Sequence, residues 1–509
     1  MLGAGPALGL LLLCHQALLA PGLPDGRYVA AVYEYPSILS ANPEALIDRS
    51  SALEFMNRNL DRYEEQVVAA AKQGVQIIVF PEDGIHGFNF TRRSIYPFLD
   101  FLPALQSGKW NPCLEPQKFN DTEVLQRLSC LAIRGRLFLV ANLGTKQPCN
   151  GTDPGCPPDG RYQFNTNVVF DDNGTLVTSY RKQNLYFEYS FDTPSAVDYS
   201  IFETPFAGKF GVFTCFDMLF FEPTVRLVTD FGVKHIVFPT AWMDQLPLLA
   251  GIELQQAFAV VFNVNVLAAN LHHPHLGMTS SGIHTPHGSF WYHNAESLEG
   301  KLIVANIAAE PGDGGPLWNS PREAPESDGR FSWEDGTCEG GADTPCGEPP
   351  EGAPATPATF HGEMMYDNFT FVPLRENRGR LRLCAGALCC ELDYQRRGLS
   401  GELYALGVLD DLHTVHGTYY LQVCALVKCG GPRWDTCGQE TARATEKFDF
   451  HLRGNFSTSF VFPILLTSGM TLQSPGQRGW EGGHYFMRKS QLTSGLVTAA
   501  LYGRWYERD

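Results

Sequence analysis

Three side chains far apart in the chain stand where apolar runs end, and together they are equipped for acyl transfer. Glu82 follows the run in "VQIIVFPED", Lys182 lies in "SYRKQNLYFE", and Cys215 ends "KFGVFTC". A carboxylate can take a thiol proton, the thiolate can attack a carbonyl carbon, and an ammonium can hold the oxyanion that forms. The backbone N–H of Phe216 is expected to be a second oxyanion donor. "EPTVRLVTDFG" is expected to open a helix just after the cysteine, with its N-terminus favouring the thiolate. Taken singly, each residue has an ordinary explanation. A lone buried cysteine is more often an inert small hydrophobe, Glu82 suits a loop, and Lys182 beside Arg181 suits a surface.

Counting cysteines singles out the same thiol. Of 14 in the chain, Cys14 falls in an N-terminal leader, and the remaining 13 cannot all pair in an oxidising compartment. They group as Cys113, Cys130, Cys149 and Cys156; as Cys338 and Cys346; and as Cys384, Cys389, Cys390, Cys424, Cys429 and Cys437. Each group is even, and Cys215 is the remainder. The pairing itself is open, with local bridges such as Cys149–Cys156 expected and the vicinal Cys389–Cys390 read as structural.

The elements that must position these residues are legible as period and run length. "SALEFMNRNLDRYEEQVVAAAKQG" sets Met56, Leu60, Tyr63, Val67 and Ala71 at helical spacing, with Gly74 suited to the position after the helix. Short apolar runs follow, such as "VQIIVF", "FLVANL", "NTNVVF", "KHIVFPT", "NVLAAN" and "KLIVANI", of the kind buried on both faces of a sheet. Helical stretches in "TEVLQRLSCLAIRG" and "LLAGIELQQAFAVVF" lie between some of them, which reads as an α/β layer architecture. At the carboxyl ends of such strands, distant residues converge on one pocket. Four segments are expected: a leader over 1–22, a catalytic domain over 23–308, a Pro/Gly/acidic linker or surface loop over 309–357, and a β-rich domain over 358–509.

The apolar run Ala7–Leu13 is too short to cross a bilayer and reads as a secretory leader, cut after Gly22. Six Asn-x-Ser/Thr sequons, at Asn89, Asn120, Asn150, Asn173, Asn368 and Asn455, suit a secreted glycoprotein. A formal charge of −17 with few basic clusters argues against nucleic acid or an anionic membrane as partner. His272, His273 and His275, and further on His413 and His416, lack the companion spacing of a familiar zinc site.

"VFPEDGIHG", "YRKQNLYFE" and "FTCFDMLFF" resemble the Glu–Lys–Cys signature blocks of the nitrilase superfamily, the carbon–nitrogen hydrolases. The resemblance extends through "FPTAWMDQLPLL", "LAANLHHP", "SSGIHTP" and "MMYDNFTFVP", and is strongest to the branch that holds the vanins and the biotin-amide hydrolases. It implies an α-β-β-α sandwich followed by a smaller, disulfide-stapled β-rich domain. It implies Glu82 as general base, Lys182 as oxyanion stabiliser, Cys215 as nucleophile and Glu188 as a second carboxylate that orients the lysine. It also implies a secreted amidohydrolase that frees biotin from biotinyl-lysine or biotinyl peptides through a thioester, with biotinyl transfer to amines as a side reaction and no cofactor or metal. Pantetheine as substrate, or a non-catalytic biotin-binding glycoprotein, are the alternatives. The charged ending "SGLVTAALYGRWYERD" is incompatible with the hydrophobic tail of a GPI anchor, so no membrane anchor is expected, and a monomer is expected for want of an interface signal.

Overall fold

The computed structural model describes residues 26–103, 109–312, 316–317, 359–398 and 401–509. The expected leader and most of the 309–357 segment, with Cys338 and Cys346, lie outside them.

The first sheet is built from β1 (Arg27–Glu34), β2 (Ile77–Val79), β3 (Asp100–Phe101), β4 (Phe138–Pro148), β5 (Arg161–Phe170) and β6 (Leu176–Arg181). A second holds β7 (Ser200–Thr204), β8 (Gly208–Val212), β9 (His235–Thr240), β10 (Asn265–Asn270), β11 (Ser281–Thr285) and β12 (Gly288–Tyr292). β13 (Lys301–Ala308) returns to pair with β1, so the first sheet runs β13-β1-β2-β4-β5-β6, with β3 beside β4. In the second, the order is β12-β11-β10-β9-β8-β7.

β1, β2 and β4 are mutually parallel, and β6 runs the same way because β5 lies antiparallel to both of its neighbours. β8, β9 and β10 are parallel in their own sheet. Glu82 follows β2, Lys182 follows β6 and Cys215 follows β8, so each leaves the carboxyl end of its strand.

Helices cover the two outer faces. α1 (Arg49–Ala71) starts at Asp48, whose carboxylate accepts from Ser51 N–H at 2.8 Å, and Gly74 takes a φ of +71° just after its end. Met56, Leu60, Tyr63 and Val67 of α1 pack with Leu125 and Leu128 of α2 (Glu123–Gly135) against Ile78 and Leu139. Between the sheets lie Ala30, Val32, Val79 and Val140, facing Val212, Val237 and Leu267. Such layering is an α-β-β-α sandwich.

On the far face, α3 (Arg226–Thr229) is a single turn, whereas α4 (Gly251–Phe262) is buried on all sides. The reason is the second domain, a pair of antiparallel sheets of seven and five strands. Phe460 and Phe462 from its larger sheet pack on Phe262, so α4 is covered by β-structure on both faces. Each buried phenylalanine there stabilises the contact by about 1.5–3 kcal/mol.

Among the described residues five disulfides join Cys113–Cys130, Cys149–Cys156, Cys384–Cys389, Cys390–Cys424 and Cys429–Cys437. The vicinal pair therefore serves two separate bridges. Cys215 is the free cysteine among the described residues.

Candidate active site

Glu82, Lys182, Glu188 and Cys215 line one cleft. Lys182 Nζ donates to Glu82 Oε1 at 2.6 Å and to Glu188 Oε2 at 2.5 Å. All three side chains are nearly or wholly out of solvent, so only mutual compensation keeps the charges affordable. Burial works against the lysine's charge, but the Glu188 and Glu82 carboxylates outweigh it and hold its pKa well above the ordinary value. Burial lifts the Glu188 carboxyl, with Lys182 pulling the other way.

A row of buried asparagines, which sequence reading did not single out, fixes the carboxylates. Asn165, inside β5, donates to Glu82 Oε1 at 2.8 Å and to Glu188 Oε1 at 2.5 Å. Asn142 of β4 donates to Asn165 Oδ1 at 2.6 Å and to Asn167 Oδ1 at 2.9 Å, and it accepts from Asp83 N–H at 3.0 Å. Asn167 in turn donates to Thr214 Oγ1 at 2.8 Å. The amides thus tie the loop carrying Glu82 to the residue before the cysteine, and a fully satisfied buried network of this kind sets one geometry. Glu82 Oε2 accepts from Ala241 N–H at 2.9 Å, after the end of β9.

Cys215 opens a tight turn, Cys215–Leu219, with φ at +45°. A non-glycine residue there carries roughly 1–3 kcal/mol of strain, and such strain gathers where a side chain must be aimed. The surroundings impose it. Asp217 accepts from Thr214 N–H at 3.0 Å and Tyr180 O–H at 2.7 Å, and Asn184 N–H reaches its other oxygen at 2.9 Å. At the far end of the turn, Arg504 of the second domain donates from Nε to the Leu219 carbonyl at 2.8 Å.

The helix expected to begin beyond the cysteine does not form as one. Glu222 precedes Pro223 and takes an extended φ, ψ of −101°, 128°, as residues before proline tend to. What remains is a five-residue turn, Phe221–Val225, and the four residues of α3, too little for a sizeable dipole. The thiolate is not favoured at rest. Burial, then the Glu82 charge, lift the Cys215 thiol far above its usual value, against Lys182.

The cysteine stands where two lobes of the cleft meet, with Tyr186, Ala241 and Met243 common to both. One lobe is mainly apolar and is lined by Phe216, Leu219, Trp242 and Leu249. Its outer wall comes from the second domain, through Tyr366, His413, His416 and Tyr419. Tyr366 sits on a two-residue hairpin between β14 (Phe360–Met364) and β15 (Asp367–Pro373), where Met365 and Tyr366 take φ of +54° and +70°. Asn-Gly is the usual choice for such a turn. The other lobe is the more polar of the two and holds Glu82, Asp83, Lys182 and Glu188, with Asn89 and Phe187 among its lining residues.

The remaining sequence candidates divide. His272 bonds Glu34 at 2.6 Å and Ser297 O at 2.9 Å, His273 bonds Ser37 at 2.9 Å, and His275 is exposed. His413 bonds Asp367 at 2.8 Å and stacks on Tyr419, while His416 meets Phe187 and Tyr366 edge to face. Two histidines weighed only as zinc ligands are thus wall residues of the cleft. Among the described residues no group of three or more His, Cys, Asp or Glu is arranged to hold a metal ion. Phe216 lines the apolar lobe with its ring, and its N–H lies in the same turn as the thiol. Of the sequon asparagines, Asn89, Asn120, Asn150, Asn173 and Asn368 are exposed. Asn455 is half-buried and holds a hairpin turn by accepting from Cys389 N–H and donating to Ala387 O.

Residues 51–310 match the carbon–nitrogen hydrolase family, and residues 358–509 match the vanin C-terminal domain. The chain belongs to the carbon–nitrogen hydrolases. This carbon–nitrogen hydrolase is 66% identical to the biotinidase of Mus musculus over 485 residues, 94% of this chain and 93% of that protein. It is 65% identical to the biotinidase of Homo sapiens over 486 residues, 95% of this chain and 90% of that one. With the pantetheinase of Mus musculus it shares 43% identity over 486 residues, 95% of this chain and 90% of the relative. An amide-cleaving hydrolase with a nitrilase-like sandwich and a separate β-rich domain is what these matches establish for the chain. Among the described residues no helix is long and apolar enough to cross a membrane.

Proposed function

We propose that this carbon–nitrogen hydrolase frees biotin from biotin amides such as biotinyl-lysine and biotinyl peptides, with Cys215 as nucleophile, Glu82 as base and Lys182 as oxyanion partner. The observation that carries the reading is the thiol set at the inner end of an apolar lobe, beside a buried carboxylate–ammonium pair. Glu82 already accepts three hydrogen bonds, from Lys182, Asn165 and Ala241, which leaves one acceptor position of a carboxylate for the thiol proton. The Lys182 ammonium has two of its three donors on carboxylates, and the third serves the oxyanion. Glu188 positions that ammonium.

In acylation the sulfur attacks the carbonyl carbon as its proton passes to Glu82. The tetrahedral oxyanion collapses, the C–N bond breaks, and the nitrogen leaves with that proton. Water activated by Glu82 then attacks the thioester, releasing biotin and returning the thiol. An amine replacing water gives biotinyl transfer. Five disulfides and the exposed sequons support a secreted glycoprotein.

Identity favours a biotin amide over pantetheine, at 62–66% for the mammalian biotinidases against 42–44% for the pantetheinases. The test is kcat/KM on biotinyl-lysine and on pantetheine. A pantetheine preference overturns the biotin reading and keeps the mechanism. Cys215→Ala abolishes turnover on either substrate; retained turnover displaces the nucleophile, and biotin binding without any turnover in the unmodified protein marks a carrier.

A further inference from the structure

Asp83 follows the base in sequence and has no part in the chemistry above. Only 6% of the residue is exposed, the side chain retains 9%, and it lines the polar lobe. Its φ of +56° and its N–H bond to Asn142 hold the backbone in the conformation that carries the carboxyl to the lobe. Among the described residues no hydrogen bond reaches the carboxyl oxygens. The nearest basic atom, His86 Nδ1, is 4.0 Å away and is committed to the Gly87 carbonyl at 2.6 Å. Burial keeps His86 neutral, with its pKa lowered to about 4.

Three carboxyl groups, Glu82, Asp83 and Glu188, therefore share the Lys182 ammonium, which is already spent on two of them. Burial first, and then the Glu82 and Glu188 charges, raise the Asp83 carboxyl well above the usual carboxylate range. A nearly buried acid without a hydrogen-bond partner, in the lobe that the thiol also lines and in a cluster short of one positive charge, is matched by an alkylammonium.

We propose that Asp83 forms an ammonium subsite: the polar lobe holds the amine half of the reaction, with Asp83 pairing with its nitrogen. The site serves both the amine that leaves and an amine that attacks the thioester. On departure, the nitrogen keeps the bonding electrons of the broken C–N bond and carries off the proton that Glu82 took from the thiol. It then accepts the proton of the Asp83 carboxylic acid, giving an ammonium–carboxylate pair, and solvent reprotonates Asp83 as the ammonium diffuses away. In transfer, Asp83 releases its proton to solvent as the incoming ammonium binds and then takes one proton from that ammonium, and the neutral amine attacks the thioester carbon. Its second proton passes through Glu82 to the departing sulfur. This rests on Cys215 carrying the acyl group, and not on which acyl group it carries.

The experiment follows iodoacetamide alkylation of Cys215 in the full chain, with n-butylammonium as probe. Protection is the ratio of alkylation rates with and without the amine in each protein. The wild type is protected by n-butylammonium and not by n-butanol, and Asp83→Asn requires about tenfold more amine for the same protection. Asparagine keeps the size and tolerates the positive φ. Equal protection of both proteins, or equal protection of the wild type by butanol and butylammonium, overturns the proposal; the second comparison needs no variant to fold. No biotin compound enters the readout, so a failed biotin reading leaves it intact. Where turnover is measured, the fraction of acyl-enzyme captured by the amine rather than water falls about fivefold in Asp83→Asn, and an unchanged fraction counts against the subsite.

Discussion

Replacing Glu82 by glutamine separates a proton-transfer role from a merely electrostatic one, because the two predict opposite signs at the thiol. In the native site Glu82 Oε1 accepts from Lys182 and Asn165, and Oε2 accepts from Ala241 N–H. Glutamine has one acceptor oxygen. Whichever way its amide turns, the NH₂ faces a donor, which costs about 1–3 kcal/mol for the hydrogen bond left unmade. Lys182 also loses one of two buried carboxylates. Removing a partner from such a pair costs about 3–5 kcal/mol when nothing remains, and Glu188 at 2.5 Å retains part of that. A net loss of roughly 3 kcal/mol in folding stability follows, visible as a lowered melting temperature. For the chemical step, losing a positioned base slows turnover by about 10²–10⁴, or roughly 3–5 kcal/mol in the barrier.

The assay that decides is iodoacetamide alkylation of Cys215 alongside hydrolysis of biotinyl-lysine. With Glu82 as base, both slow together in Glu82→Gln. If Glu82 acts on the sulfur only as a nearby negative charge, its removal eases thiol ionisation, because that charge is among the causes raising the thiol pKa. Alkylation then speeds up. Faster alkylation, or hydrolysis within about fivefold of wild type in a folded variant, refutes the reasoning.

Further outcomes follow from other contacts. Glu188→Gln leaves the thiol's base in place but frees Lys182 on one side, so kcat falls about 10–100-fold with KM little changed; a KM effect alone assigns Glu188 to substrate binding. Tyr366→Ala and His416→Ala open the outer wall of the apolar lobe, and KM for a biotin amide rises about 3–10-fold while a short-chain amide is turned over as before; equal effects on both substrates overturn the specificity role. Burial lifts the Asp217 carboxyl to about 6, against Lys182 and its hydrogen bonds with Tyr180 and Asn184. A folded-state pKa above the unfolded value of about 3.9 contributes stability at low pH that is lost as pH rises through 6. The melting temperature of wild type minus that of Asp217→Asn should therefore fall between about pH 4 and 6 and stay flat above, and a rise across that window contradicts the assignment.

Much of the architecture was readable from period and run length. The spacing of Met56, Leu60, Tyr63 and Val67 could face a core only as a helix, and runs such as "IIV" were too short and too apolar for anything but buried strands. Cysteine parity isolated Cys215, and the ends of three separate runs brought Glu82, Lys182 and Cys215 to one side of the molecule. What stayed hidden depends on register and docking. An asparagine inside a strand has no local signature, and only the β4–β5 and β5–β6 pairings put Asn165 between Glu82 and Glu188. Tyr366 and His416 belong to another domain, and nothing in their neighbourhood says which surface they will meet. The helix expected after Cys215 is present only as two short turns, Phe221–Val225 and Arg226–Thr229, and Glu222, held extended before Pro223, sets them off from the turn that carries the cysteine.

Arg504 has a consequence for the order in which the pocket is put together. Its guanidinium is buried, with Nε on the Leu219 carbonyl, Nη1 on the Tyr420 carbonyl and Nη2 on Asp509. The turn that presents the thiol is thus fastened by a residue 285 positions downstream. During synthesis the ribosome delivers Glu82, Lys182 and Cys215 long before it delivers that clamp and the aromatic wall around Tyr419. A nascent chain carrying the whole sandwich is therefore still without that clamp and the outer wall of the apolar lobe, which come only with the second domain.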